Sequence, residues 1–445
     1  MYYFSFSELQ PSYCNMLRGR QMKSFIILLT FINFMLLLLR SGPDATGKQS
    51  SSSSKHPWEI AHESQLMVHQ ETDNPKLTKE NAESVAKSKS SASQEKLILA
   101  YTKFYGNMFD VHKAGRTGYD IKQSPNAFDQ CEYKCRWSTD KADLSKSDAV
   151  IFHLYNNRNN KDFIFKDLPP RSNALQKWVL MAREPQAFFY PEQLKSLDDK
   201  FNLTVTFQSD SDVVIPYGTY WELPKKSQDY WAKLRMDYLS GKNKSVAWVV
   251  SNCKTSSRRE DYVRELQKHI QVDVYGRCGT LKTNTQSANG FRDQIAKEYK
   301  FYIAFENSDC DDYISEKFWN SLNIGIIPIV RGHKAHYKEV APPNSYIHAD
   351  SFVSPQKLAE HLVQVSKNPT LFQSYHEWRR KYGANYKFFT TNTNWMCGLC
   401  EKVHTTPVKT VDIYQHFSEH TRCFTYLDHN GRNRTGEHVE DITRV

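Results

Sequence analysis

The stretch KFYIAFENSDCDDYISEKFWNSLNIGIIPIV, residues 300–330, reads as strand, polar loop, helix and strand. An apolar run ends at Ala304. A loop crowded with acidic residues follows, and the pattern then changes to a helical period before the apolar run IIPIV. Ile314, Phe318 and Leu322 form one apolar seam, and the period predicts a helix from about Asp312 to Leu322. The preceding segments keep the same rhythm. SVAWVVS (245–251) reads as a strand, and RREDYVRELQKHI (258–270) as a helix with Tyr262, Val263, Leu266 and Ile270 on one face. VDVYG (272–276) is a strand, DQIAKEY (293–299) leads into the next, and repeated βα units predict a doubly wound parallel sheet.

The first half carries a second set of β-rich runs, KLILAY, DAVIFHLY, KWVLMA and LTVTFQ. They are continuous rather than alternating, as expected for parallel strands covered on both faces. The predicted organisation is an α/β domain over 96–222, a partly helical connector over 223–244, a second α/β domain over 245–390, and an irregular cysteine-containing tail over 391–445.

The 445-residue chain is 39% hydrophobic and 13% aromatic, enough for two cores. Its formal charge of +10 is scattered, which argues against nucleic acid as a partner and is compatible with one anionic small ligand. FIILLTFINFMLLLL (25–39) is uncharged, with Arg18, Arg20 and Lys23 before it and Arg40 after it. A run of this kind spans about 24 Å as a helix, suited to a thin bilayer. A cleavable signal peptide competes, but no small-x-small site follows LLLLRSGPDATG. The expected topology is a cytoplasmic tail (1–23), a signal anchor (24–40) and a flexible serine-rich stem (41–95), with everything beyond the anchor lumenal. Of nine cysteines, Cys14 then lies on the cytoplasmic side and eight in an oxidising lumen, where disulfides outweigh a zinc site. Sequons at Asn202, Asn243 and Asn433 are candidate glycosylation sites.

In open α/β sheets, ligands bind beyond the carboxyl ends of strands, where helices begin and their amides favour an anion. Tyr313, Glu316, Lys317 and Asn320 follow one another at helical spacing there. Lys317 can reach a phosphate, Tyr313 can cover a base or sugar, and Glu316 can accept from hydroxyls. An ordinary amphipathic helix fits the periodicity as well.

FENSDCDDYISEKFWNSL…GIIPIV resembles the signature of the α-1,3-fucosyltransferase family, and so do WVVSNCKTSSRREDYVRELQKHIQVDVYGRCG and DSDVVIPYG. The resemblance runs over roughly 96–400 and is densest over 246–330. It implies two Rossmann-like domains of the GT-B type behind the anchor and stem, in a Golgi type II membrane glycosyltransferase. GDP-fucose would be held by the second domain and a glycoprotein N-glycan by the first. Carried over, Asn307, Tyr313, Glu316 and Lys317 contact the donor, and Arg259, rather than Arg258, binds its diphosphate. Residue 315 is Ser where the family usually has Thr. No tightly bound cofactor or metal is implied; a divalent ion is at most stimulatory.

Inversion needs a base for the acceptor hydroxyl. The family places it as Glu, a small residue, then Pro. Here Glu184 directly precedes Pro185, and aligning on Pro puts Arg183 in that place. Glu184 is chosen because arginine keeps its proton. Asp210 and Asp212 in SDSD imitate a D-x-D metal motif but are read as structural. Cys131 and Cys135 are expected to pair with Cys397 and Cys400. Core and antenna acceptors both remain open, as does an inactive binding protein on the same scaffold.

Overall fold

The computed structural model describes residues 94–104, 107–108, 128–129, 131–154, 168–233, 237–282, 288–386, 395–419 and 423–424. The predicted cytoplasmic tail, anchor and Asn433 lie outside the described residues, as does the stem apart from its last two positions. Among the described residues no helix is long and apolar enough to cross a membrane. All described residues fall in one compact unit, Ser54–Val445.

Two parallel sheets form the frame. The first contains β1 (Lys96–Ala100), β2 (Cys135–Ser138), β3 (Ala149–Leu154), β4 (Lys177–Ala182), β5 (Leu203–Thr206) and β6 (Val213–Val214), in the order β2-β1-β3-β4-β5-β6. A short strand β7 (Gly218–Glu222) follows. The second sheet contains β8 (Lys244–Val249), β9 (Val272–Tyr275), β10 (Tyr299–Ile303), β11 (Ile327–Val330) and β12 (Ile347–His348), in the order β9-β8-β10-β11-β12. Every pairing within these two sheets is parallel. The alternating βα reading therefore holds, and the mixed α/β frame fits a GT-B architecture.

Both faces of the first sheet are covered, which is why its strands are continuous apolar runs. Alternate residues separate cleanly. Ile98, Ile151, Val179 and Met181 pack with Leu399 and Val403. Leu99, Val150, Phe152 and Leu180 pack with Ile413 and Phe417 on the other side. The covering residues come from α3 (Trp395–Thr405) and α4 (Ile413–Glu419), so the C-terminal segment is not the irregular tail expected. Trp395, Leu399 and Val403 recur every fourth residue and form a buried stripe that docks back on the first sheet. Disulfides Cys131–Cys397 and Cys135–Cys400 fix that return across sequence separations of 266 and 265. Cross-links closing loops this long restrict the unfolded chain most.

The connector contains the helix Lys225–Lys233. A long-range pairing not legible in the sequence lies beside it. β7 pairs antiparallel with β13 (Tyr382–Tyr386), from Gly218↔Tyr386 to Glu222↔Tyr382. Gly218 backs onto Trp319, and a Cβ built there would lie 2.2 Å from the indole Cδ2. Gly218→Ala is expected to cost about 1–3 kcal/mol through overpacking. Denaturant unfolding should show a lower midpoint with an unchanged slope.

Candidate functional site

The order β9-β8-β10 reverses direction between β8 and β10, so a crevice opens at their carboxyl ends. Two loops meet there. Ser257 N–H donates to Asn307 O at 3.2 Å, and Ser257 Oγ to Glu306 O at 2.8 Å. Arg331, just after β11, pairs with Asp309 at 2.7 Å and donates to Ser257 O, so three strand ends are bound together. Burial pushes the Asp309 carboxyl up to about 6 against the opposing pull of Arg331. Cys253–Cys278 joins the loops after β8 and β9, and Cys310–Cys423 holds the loop after β10.

Glu306 organises this crevice. Its carboxylate is 1% exposed and accepts from Ser315 N at 2.7 Å, Ser315 Oγ at 2.7 Å and Lys317 Nζ at 2.9 Å. The helix α2 (Glu316–Asn323) begins where Glu306 takes up the Ser315 amide, four residues later than the period predicts. Asp312 has φ 60°, outside the helical region, so the chain cannot be helical through it. Ser315 thus uses its hydroxyl, the one group it shares with threonine.

Lys317 Nζ also donates to Ser315 Oγ at 2.6 Å and Glu316 Oε1 at 3.1 Å, while 22% of its side chain stays exposed. Burial works to lower its pKa, but Glu306 and Glu316 outweigh it and hold the ammonium above its ordinary range. The same pairing holds Glu316 below its usual range, although burial opposes that.

Arg259 is 4% exposed at the first position of α1 (Arg259–Leu266). Its Nη1 donates to Phe305 O at 2.7 Å and its Nη2 to Asn252 O at 3.3 Å, bridging the ends of β8 and β10. Burial lowers its pKa from the ordinary arginine value, with neighbouring carboxylates opposing that. Arg259 Nε and Asn307 Oδ1 are buried without a hydrogen-bond partner, the condition in which a polar ligand is most strongly favoured. Arg258 instead turns to Asp261, Nε to Oδ2 at 2.7 Å.

The first sheet supplies the facing group. Just after β4, Arg183 turns into the core, 1% exposed, stacks 3.7 Å over the Tyr217 ring and donates to Ile215 O. Glu184 turns the other way, and its Oε2 accepts from the Tyr313 hydroxyl at 3.4 Å. Tyr313 does not lie open on the helix as expected. It precedes α2, is 4% exposed, and packs 5.1 Å from Phe207 and 5.7 Å from Tyr217.

The family described as "Glycosyltransferase family 10 (fucosyltransferase) C-term" matches residues 239–419, and "Fucosyltransferase, N-terminal" matches 93–218. Alpha-(1,3)-fucosyltransferase C of Drosophila melanogaster is 32% identical over 330 residues, 69% of this chain and 73% of that relative. This chain belongs to the fucosyltransferase family. Glycoprotein 3-alpha-L-fucosyltransferase A of Drosophila melanogaster is 40% identical over 217 residues, 48% of this chain and 42% of its own length. A 3-galactosyl-N-acetylglucosaminide 4-alpha-L-fucosyltransferase of Pongo pygmaeus is 38% identical over 248 residues, 55% of this chain and 63% of its own length. The chain thus spans less than two thirds of these last two relatives.

As a member of the fucosyltransferase family, the chain is a glycosyltransferase, and its remaining candidates can be placed. Asp210 and Asp212 part company: Asp212 Oδ2 accepts from Thr204 N at 2.8 Å, and Asp210 lies 3.5 Å from His416. Asn243 is exposed. Asn202 is a correction. It is 4% exposed, its Nδ2 donates to Lys409 O at 2.9 Å, and its Oδ1 accepts from Trp178 N, so the fold leaves no room for a glycan on it. A sequon is a local pattern, whereas the burial of Asn202 comes from the pairing of β5 with β4.

Sequence reasoning missed Glu306, although it sits beside Asn307 in the same motif. The available signal was an acidic residue directly after an apolar strand, ahead of a serine-started helix. Glu306→Ala should destabilise the protein by about 3–5 kcal/mol, because it leaves the Lys317 ammonium and the Ser315 amide without their acceptor. Thermal unfolding of the variant checks this.

Proposed function

We propose that this enzyme is an inverting α-1,3-fucosyltransferase that moves fucose from GDP-fucose to an N-acetylglucosamine hydroxyl of a glycoprotein N-glycan. The observation that carries the reading is the approach of Glu184, from the first sheet, to the second-sheet crevice built around Arg259 and Lys317. Glu184 takes the proton of the acceptor hydroxyl. The oxygen then bonds to the anomeric carbon on the face opposite GDP, and the breaking bond's electron pair leaves on the diphosphate. Arg259 and Lys317 supply positive charge to that leaving group. All three Lys317 donors have partners, and the contact with the half-exposed Glu316 is the longest, so it is the one a phosphate oxygen replaces.

The acceptor we favour is the Asn-linked core N-acetylglucosamine, on the slight lean of WMCGLCEKVH and GRCG. The name of one relative as a glycoprotein 3-alpha-L-fucosyltransferase supports a glycoprotein acceptor. The galactosyl-N-acetylglucosaminide enzyme keeps an antenna acceptor as the second reading. The reading includes a single-pass type II protein of the Golgi membrane, anchored by 24–40, with its catalytic part lumenal. The proposed organisation keeps acceptor binding in 96–222 and donor binding in 245–390.

Incubating the purified enzyme with GDP-fucose, a paucimannose N-glycan and a lactosamine acceptor, followed by mass spectrometry, decides the acceptor. Fucose on the chitobiose core supports the first reading, and fucose on the antenna the second. Absence of transfer with GDP still bound would favour an inactive scaffold. Lys317→Ala should lose about 2–4 kcal/mol of transition-state stabilisation, seen in kcat/KM. EDTA should leave transfer at least partly intact, whereas complete metal-reversible loss would assign the leaving group's charge to a cation instead.

A further inference from the structure

Tyr313, just before α2, is 4% exposed. Phe207 and Tyr217, both from the first half of the chain, flank its ring, and its hydroxyl donates to Glu184 Oε2 at 3.4 Å. We propose that Tyr313 is a positioning residue for the acceptor-side carboxylate: across the junction of the two halves it holds Glu184 in place by a hydrogen bond. This rests on the reading of Glu184 as the base.

The turn that carries Tyr313 is fixed from both sides. Tyr313 N–H donates to Cys310 O at 3.3 Å, and Cys310 is cross-linked to Cys423. Asp312, in its left-handed conformation, accepts from Ser209 N and Ser209 Oγ, both at 2.8 Å. Its other oxygen lies 3.3 Å from His336 Nδ1. Ser209 belongs to the loop after β5, so one short turn of the second half is tied to the first half beside Glu184. The Tyr217 hydroxyl donates to Arg183 O, which anchors the residue before Glu184 in the same cluster.

The tyrosine is suited to donate rather than ionise. Burial raises its pKa far above the ordinary phenol value, and the Glu184 charge adds to this. The other titratable groups acting on Tyr313 are Tyr217 from the first half, and Glu306 and Glu316 from the second, while Arg183 acts on the neighbouring Tyr217. A hydrogen bond donated to a carboxylate favours its charged form, so removing it makes the base harder to ionise.

The test compares Tyr313→Phe with Glu184→Gln in the intact enzyme, with thermal unfolding as the check on folding. Glu184→Gln should lower kcat by at least a hundredfold while GDP still binds. Tyr313→Phe, which removes one oxygen, should lower kcat about tenfold, leave the KM for GDP-fucose unchanged and move the acidic limb of the pH–kcat profile upward. A raised donor KM with an unmoved limb overturns the proposal and makes Tyr313 a donor contact. Wild-type kinetics in Tyr313→Phe overturn it as well. Wild-type turnover in Glu184→Gln removes the base assignment itself, and the positioning role with it.

Discussion

The Glu306 carboxylate is the constraint on which the crevice depends. A buried carboxylate without partners costs several kcal/mol, so the surrounding groups must converge on it. The Ser315 amide and hydroxyl and the Lys317 ammonium do so, which fixes where α2 starts and where its lysine points. The Glu306 carbonyl meanwhile accepts from Ser257 Oγ, which sets the loop after β8 against the loop after β10. One residue therefore positions the helix start, the cation and the neighbouring loop together.

The two halves of the chain are held against each other by pieces that each half lends to the other. α3 and α4 return to cover opposite faces of the first sheet, although they follow the second sheet in sequence. β7 pairs with β13, and Trp319 of α2 fits against the bare backbone of Gly218. Ser209 meets Asp312 at the junction itself. The approach of Glu184 to Tyr313 is a product of these long-range contacts, because neither residue has a local reason to meet the other.

Much of the frame was legible because its signals are local. Runs such as VIFHL and WVVS must be strands covered on both faces, and the apolar stripe of α1 must be a helix. The motif around Asn307 and Lys317 could be placed at a strand end for the same reason. The C-terminal helices were expected to be irregular, because the stripe of Trp395, Leu399 and Val403 is short and is buried only by docking on a distant sheet. Asn202 was misread because a sequon carries no information on burial.

The sequence by itself determined the parallel α/β frame, the resemblance to fucosyltransferases and the residue types of the site, since periodicity and motif spacing are written along the chain. Tertiary structure alone decided which way each side chain turned. Arg183 and Glu184 are adjacent in sequence, yet one is buried against Tyr217 and the other reaches Tyr313. That choice follows from packing against residues 34 and 129 positions away, about which the local sequence says nothing.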